Sequence, residues 1–228
     1  MIRVEGTEMD TGADRTVSGS EALQYGWAGM LRDFSLFVGI GLLGAALAIV
    51  GAQVGTPSID RPHVGVGIAS VLIQLGQVLI GFVWIRLALS LRDGERPAPS
   101  DTLPSTPRFL SFLLATVLYG LAVAVGLALL VLPGVVIAAR LGFYGFVMAE
   151  EPLSPVAALR RSFEVTRGAT VDLVLFGFLL LVVNVFGALA LGVGLFATIP
   201  TSALAAAFVY RRLSPRAEAP GAALKVAS

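Results

Sequence analysis

Three long stretches of this chain are almost free of ionisable side chains. Phe34–Leu91 holds Asp60, Arg61 and Arg86, Phe109–Ala149 holds only Arg140, and Val171–Tyr210 holds only Asp172. Together they make up 139 of the 228 residues and carry five charges, whereas the other 89 residues carry 26. A run of about 20 apolar residues, each rising about 1.5 Å along a helix, crosses the hydrocarbon core of a bilayer. Each stretch is about twice that length and suits a hairpin of two crossings. Composition agrees: 56% of the residues are hydrophobic and 14% charged, and the mean hydropathy is +0.86. Soluble domains carry about 25% charged residues. An ordinary soluble enzyme, a disordered chain and a coiled coil are therefore excluded. The chain has no cysteine, which excludes a disulfide scaffold, a Cys-ligated metal site and a thiol nucleophile.

The expected fold is all-α, a polytopic membrane protein with six transmembrane helices in three hairpins. The spans fall at about 34–54, 64–91, 109–132, 135–149, 171–191 and 193–210, inside a membrane domain covering 20–213. Gly55 to Pro62 mixes turn formers with charge and reads as a short aqueous loop. Pro133-Gly134 divides the second pair, since proline removes a donor and glycine frees the backbone. The third pair turns near Gly192 and Gly194, and Pro200 is expected to kink the last span. A glycine-rich re-entrant hairpin is the alternative there. Residues 1–19 carry Glu5, Glu8, Asp10 and Asp14 with no apolar core, so they read as a disordered polar N-tail rather than a secretory signal. Residues 214–228 read as a disordered C-tail, and Pro97, Pro99, Pro104 and Pro107 mark an extended linker.

Orientation follows from Lys and Arg. With the N-terminus in the cytoplasm, 14 of the 16 basic residues fall on the cytoplasmic side. Only Arg61 falls in an outer loop, and Arg140 lies within a span. A multi-pass protein of the cytoplasmic membrane with both termini inside is the expectation.

Two amphipathic helices are expected at the inner surface. Leu23, Trp27, Met30, Leu31 and Phe34 recur on one helical face, with Ser20 as N-cap. Trp27 suits the headgroup level, although a plain aqueous extension of the first span would read similarly. In the second helix Ser154 caps, Pro155 opens and Gly168 stops. Val156, Leu159, Phe163 and Thr166 share one side, and Arg160, Arg161 and Glu164 the other. Arg160, Arg161 and Arg167 are placed to meet anionic headgroups. The halves echo each other: Glu21-Ala22-Leu23 with Trp27 matches Ala157-Ala158-Leu159 with Phe163. Likewise Phe82-Val83-Trp84-Ile85-Arg86-Leu87 matches Phe208-Val209-Tyr210-Arg211-Arg212-Leu213. Both units start on the same side, so the repeat would be parallel.

Several motifs run in a fixed order: Pro133-Gly134-Val135-Val136, Arg140, Glu150-Glu151, Ala157 to Phe163, Thr166-Arg167-Gly168, Gly192-Val193-Gly194, Thr198-Ile199-Pro200 and Tyr210-Arg211-Arg212-Leu213. Over about residues 20–213 the chain resembles the prokaryotic membrane proteins grouped as YciC-like, or as the glycerophosphoryl diester phosphodiesterase membrane domain. The resemblance implies a polytopic helical protein of largely unassigned function. The phosphodiesterase of the group's name is a separate soluble domain fused to some members. The 228 residues leave no room for it, so the name implies no activity here.

The candidate functional or structural residues are Pro133, Gly134, Arg140, Glu150, Ser162, Arg167, Gly168, Asn184 and Pro200. An arginine within a span costs about 2.5–3.5 kcal/mol on insertion scales. Arg140 therefore snorkels to the outer headgroups, pairs structurally, or binds an anionic lipid or cargo. Asn184, Gln53, Gln74 and Gln77 suit interhelical hydrogen bonds first and a permeation path second. The single histidine, His63, has no acidic partner nearby in sequence, and there is no His-Glu-x-x-His motif and no phosphate-binding loop. No catalytic residue, cofactor, metal or nucleic-acid partner is expected. The expected role is a non-catalytic lipid- or partner-binding membrane module, with a membrane-protein partner or a second copy as candidates for the partner. The alternative is a small permease or exporter component for a hydrophobic or amphiphilic solute.

Overall fold

Helix α1 (Gly19–Arg32) starts at Ser18, whose Oγ accepts from Glu21 N at 3.4 Å. The cap lies two residues before the expected Ser20, whose hydroxyl instead sits 3.2 Å from that of Ser18. After a break at Asp33 come α2 (Phe34–Val54) and α3 (Val64–Arg92), then α4 (Thr106–Leu129), α5 (Val131–Leu141) and α6 (Tyr144–Glu150). Next are α7 (Pro155–Val165), α8 (Thr170–Leu189) and α9 (Leu195–Leu213). The computed structural model describes residues 18–54, 64–95, 102–190 and 193–214. The expected N-tail up to residue 17, the loop with Asp60, Arg61 and His63, Pro97 and Pro99 of the linker, Gly192, and the C-tail from residue 215 lie outside the described residues.

The chain is an all-helical, multi-pass membrane protein. Five helical segments are long and apolar enough to cross a bilayer: Phe34–Gln53, Ile68–Arg92, Thr106–Leu129, Val131–Glu150 and Thr170–Leu189. Their outward faces carry large apolar side chains such as Leu72, Leu121, Leu132, Phe178 and Leu189, all exposed. In water that area would drive association. In hydrocarbon it faces a medium as apolar as itself.

The sixth expected span falls on α9, which is not among those five. Thr198, Thr201, Ser202, Arg211 and Arg212 lower its apolarity, and it sits in the protein interior rather than facing outward. Pro200, Thr201, Leu204, Ala205, Ala207, Val209, Tyr210 and Leu213 are buried. α9 packs against α1, α3, α8 and α2 and continues through Pro200 as one helix. α4 pairs with α5 and touches α3, and α7 packs against α4, α5 and α6.

Two expected boundaries shift. Pro133-Gly134 does not divide the second pair: the chain turns at Leu130 alone, which is extended, and α5 starts at Val131. Pro133 then lies in the first turn, where its missing N–H has no intrahelical acceptor to lose. A Cβ on Gly134 would collide with Leu127, and one on Gly126 would meet Gly134 Cα at 2.9 Å. The glycine pair is therefore what lets so short a turn close. The fourth segment breaks instead at Gly142-Phe143, between α5 and α6.

α1 and α7 each bury small residues. Ala22, Gly26 and Met30 of α1 dock on α9, while Trp27, Leu31 and Phe34 are exposed. Ala158 and Ser162 of α7, continued by Thr166, are buried, while Val156 and Phe163 are exposed. Ser18, Ala22, Gly26, Trp27 and Met30 stand at one constant offset from Ser154, Ala158, Ser162, Phe163 and Thr166. The same offset relates the starts of α2 and α8.

Candidate functional site: the polar joints of the bundle

The described polar groups gather at two joints. The first closes the end of the bundle where α3, α6 and α9 finish and α4 begins. Arg211 of α9 reaches across it and takes both carboxylates that face it. Its Nε donates to Asp93 Oδ1 at 2.9 Å and its Nη2 to Asp93 Oδ2 at 2.5 Å, a two-pronged pair. Its Nη1 donates to Glu150 Oε1, and Tyr210 Oη donates to Glu150 Oε2 at 2.7 Å. The side chains of Arg211, Asp93 and Glu150 are 9%, 16% and 19% exposed, so water screens the pairs little. Burial opposes the charge on Arg211. The hydrogen bonds and fields of Asp93 and Glu150 outweigh it and hold the guanidinium above the ordinary arginine pKa.

Two further arginines serve the same joint through the backbone. α6 ends at Glu150, and the last four carbonyls of a helix have no partner within it. Arg86 Nη1 donates to Ala149 O at 3.1 Å, and Arg108 Nη2 approaches Ala149 O and Glu150 O at 3.4 and 3.5 Å. These guanidinium groups act as side-chain caps on the negative end of the helix dipole. A small polar cavity of about 70 Å³ remains between Arg86, Ser90, Asp93, Glu150 and Arg211.

The second joint lies at the α5–α6 break. Arg140 Nη2 donates to Phe163 O at 3.0 Å, and the guanidinium carbon sits 3.4 Å from the Phe163 ring centroid. In return Ser162 Oγ and Thr166 Oγ1 donate to Arg140 O at 2.9 and 3.1 Å. Each helix end thus satisfies carbonyls that the other leaves open. Arg140 is turned toward α7 and pairs there with the Phe163 carbonyl and ring. Its Nε is buried without a partner.

The candidate residues do not form one site. Arg140 and Ser162 meet directly, with Thr166, and Gly168 follows at φ +91°, in the left-handed region that a glycine adopts freely. Glu150 belongs to the other joint. Arg167 is exposed. Pro133 and Gly134 shape the α4–α5 turn, and Pro200 is buried in α9. Asn184 Nδ2 donates to Ser202 Oγ and to Leu180 O, both at 2.8 Å, joining α8 to α9. Gln53, Gln74 and Gln77 are exposed on α2 and α3. Arg86, Asp93, Arg108, Tyr210 and Arg211 were not among the candidates. The aromatic-then-arginine ends of α3 and α9 were the available signal, but nothing in the sequence joined them to Asp93.

Outside the joints, Arg160 and Arg161 on the open face of α7 pair with Glu164 at 3.2 and 3.8 Å. Arg212 pairs with Glu21 at 2.7 Å, tying α9 to α1. Among the described residues no group of three or more His, Cys, Asp or Glu could hold a metal ion. No protein-family model, curated protein or solved structure matches this chain.

Proposed function

We propose that this chain is a non-catalytic, lipid- or partner-binding module of the cytoplasmic membrane. It crosses six times, in three hairpins, with both termini on the cytoplasmic side. The observation that carries the reading is how the two joints use their polar groups. Arg86, Arg140 and Arg211 are spent on helix-end carbonyls and carboxylates, and Asp93 and Glu150 converge on one guanidinium. A hydrolytic site would instead hold a nucleophile and a base facing a wet cavity. α9 serves as the sixth crossing because a helix enclosed by others need not be apolar toward lipid. α1 and α7 lie at the inner surface with Trp27, Val156 and Phe163 in the acyl boundary, and Arg160, Arg161 and Arg167 meet anionic headgroups. The order of the Pro133–Leu213 motifs supports a resemblance to the YciC-like membrane domains.

A permease component for an amphiphilic solute is the second reading. It is favoured by an apolar cavity of about 350 Å³ between α2 and α9. Purification in native nanodiscs followed by mass spectrometry of retained lipids and proteins separates the two. A specific anionic lipid, or a non-enzymatic membrane partner, is the expected result. A stoichiometric ATPase partner would overturn the module reading in favour of transport.

A further inference from the structure

Two cavities lie along one seam of the bundle. The apolar one, about 350 Å³, is walled by Gly44, Ala45 and Ala48 of α2 and by Phe196 and Ile199 of α9, with Trp84 of α3 at the end nearer Asp33. The second, about 190 Å³, is lined by Tyr25, Arg32 and Asp33 together with Leu91 and Leu204. Helical spacing puts them on the same faces. Leu91 lies two turns beyond Trp84 on α3, Leu204 one turn beyond Pro200 on α9, and Asp33, Phe37 and Gly41 are a turn apart at the start of α2. Phe37 stands between the cavities, stacked on Trp84 with centroids 5.4 Å apart and planes within 1°.

The seam is amphiphilic from end to end. Its deep part offers small residues and aromatic faces, and its mouth offers Arg32, Asp33 and the Tyr25 hydroxyl. Arg92 stacks on Tyr25 and Phe208 at 5.0 and 5.1 Å from their centroids, adding a second cation beside the mouth. From Phe34 at the start of α2 to Ile49, the farthest lining residue, the helix rises about 22 Å, most of the roughly 30 Å hydrocarbon core. The larger cavity lies within the roughly 300–1,000 Å³ of small-molecule sites, which are mostly apolar with a few placed polar groups.

We infer that the seam between α2, α3 and α9 holds one acyl chain of an anionic phospholipid, with its phosphate at Arg32. The inference rests on the lipid-binding reading and gives it a place. Phe37 and Trp84 close over the chain near the headgroup, so the groove selects both a single-file tail and a negative head.

Trp27 and Trp84 are the only two tryptophans, so Trp27→Phe leaves Trp84 as the sole reporter. Trp84 is 9% exposed, so a chain inside the seam comes closer to it than a chain in the surrounding lipid. The full chain is reconstituted in vesicles of phosphatidylcholine containing either chain-brominated phosphatidylglycerol or chain-brominated phosphatidylcholine. Brominated phosphatidylglycerol should quench Trp84 at about fivefold lower mole fraction, the preference that one surface arginine confers. Arg32→Gln, an exposed change, should erase that preference, and Ala45→Leu with Ala48→Leu should remove the quenching itself. The inference is overturned if Trp84 is unquenched by both lipids, if the preference is absent in the parent, or if it persists in the Arg32 variant. Disulfide dimers through Ala48→Cys, with Trp84 unquenched, would mean that a second copy fills the seam and would also overturn it. An anionic lipid retained in mass spectrometry with Trp84 unquenched would leave the module reading standing and remove only this site.

Discussion

Arg211→Met tests whether the joint at the ends of α3, α6 and α9 is a buried lock or a screened surface pair. The substitution keeps most of the side-chain volume and removes three donors. Asp93 and Glu150 then lose the guanidinium they share, while Tyr210 still donates to Glu150. Removing one partner of a buried ion pair costs about 3–5 kcal/mol, mostly through the charge left behind. Exposed pairs cost about 0–1 kcal/mol. With Arg211 9% exposed and the acids below 20%, the larger range applies. It corresponds to roughly 150- to 4,000-fold in the unfolding equilibrium, at about 1.4 kcal/mol per decade. Unfolding in mixed micelles of mild detergent and dodecyl sulfate, followed by helical circular dichroism, measures it. Adding Asp93→Asn and Glu150→Gln to the variant should recover at least half of the loss, since the two carboxylates that shared the guanidinium then carry no charge. A single-variant cost below about 1 kcal/mol, or a triple variant no better than the single, would refute the reasoning.

Other expectations are more local. Gly26→Ala should destabilise by about 1–3 kcal/mol, because its Cβ would overlap Thr201 O and lie 3.1 Å from Ala205 N, both backbone atoms of α9. Gly39→Ala, with nothing within 4 Å, should change stability little in the same assay. A double-mutant cycle of Arg140→Gln with Phe163→Leu should give a coupling of about 1–2 kcal/mol, and a coupling near zero would reduce the stacking to proximity. Arg140→Leu should still insert while losing function in a complementation assay. Asn184→Leu should cost about 0.6 kcal/mol, the usual worth of an interhelical hydrogen bond in a membrane bundle. Fusions to the C-terminal end should give a fluorescent GFP and an inactive alkaline phosphatase, and active phosphatase would reverse the proposed orientation.

The long apolar helices were legible because hydropathy integrates over 20 residues and a single misjudged side chain cannot hide it. The docking faces were not. In α1 the apolar stripe Leu23, Trp27, Met30, Leu31 marks the obvious face, yet the buried one is Ala22, Gly26, Met30. In a bilayer large apolar side chains gain nothing by turning inward, so close packing goes to small ones. α7 repeats the pattern, with Phe163 outward and Ser162 inward. Ser154, Pro155 and Gly168 were legible because capping is local chemistry. Glu150 stood out as an acid at a span's end, but Asp93 and Arg211, 118 residues apart, meet only through the topology. Arg140 was conspicuous for its cost, whereas its partners depend on how α7 packs back against α5, which the caps at Ser154 and Pro155 do not specify.

The docking of α1 on α9 also has a temporal side. Gly26 and the Thr201 backbone it fits are separated by 175 residues. At about 5–20 residues per second, a ribosome needs about 10–35 s to make that interval. Throughout it α1 has no groove to enter, and its glycine stripe waits beside a growing set of crossings. The docking of α1 is therefore set by α9 reaching back to it, and any nascent chain stalled before Thr201 carries an open groove in place of a finished one.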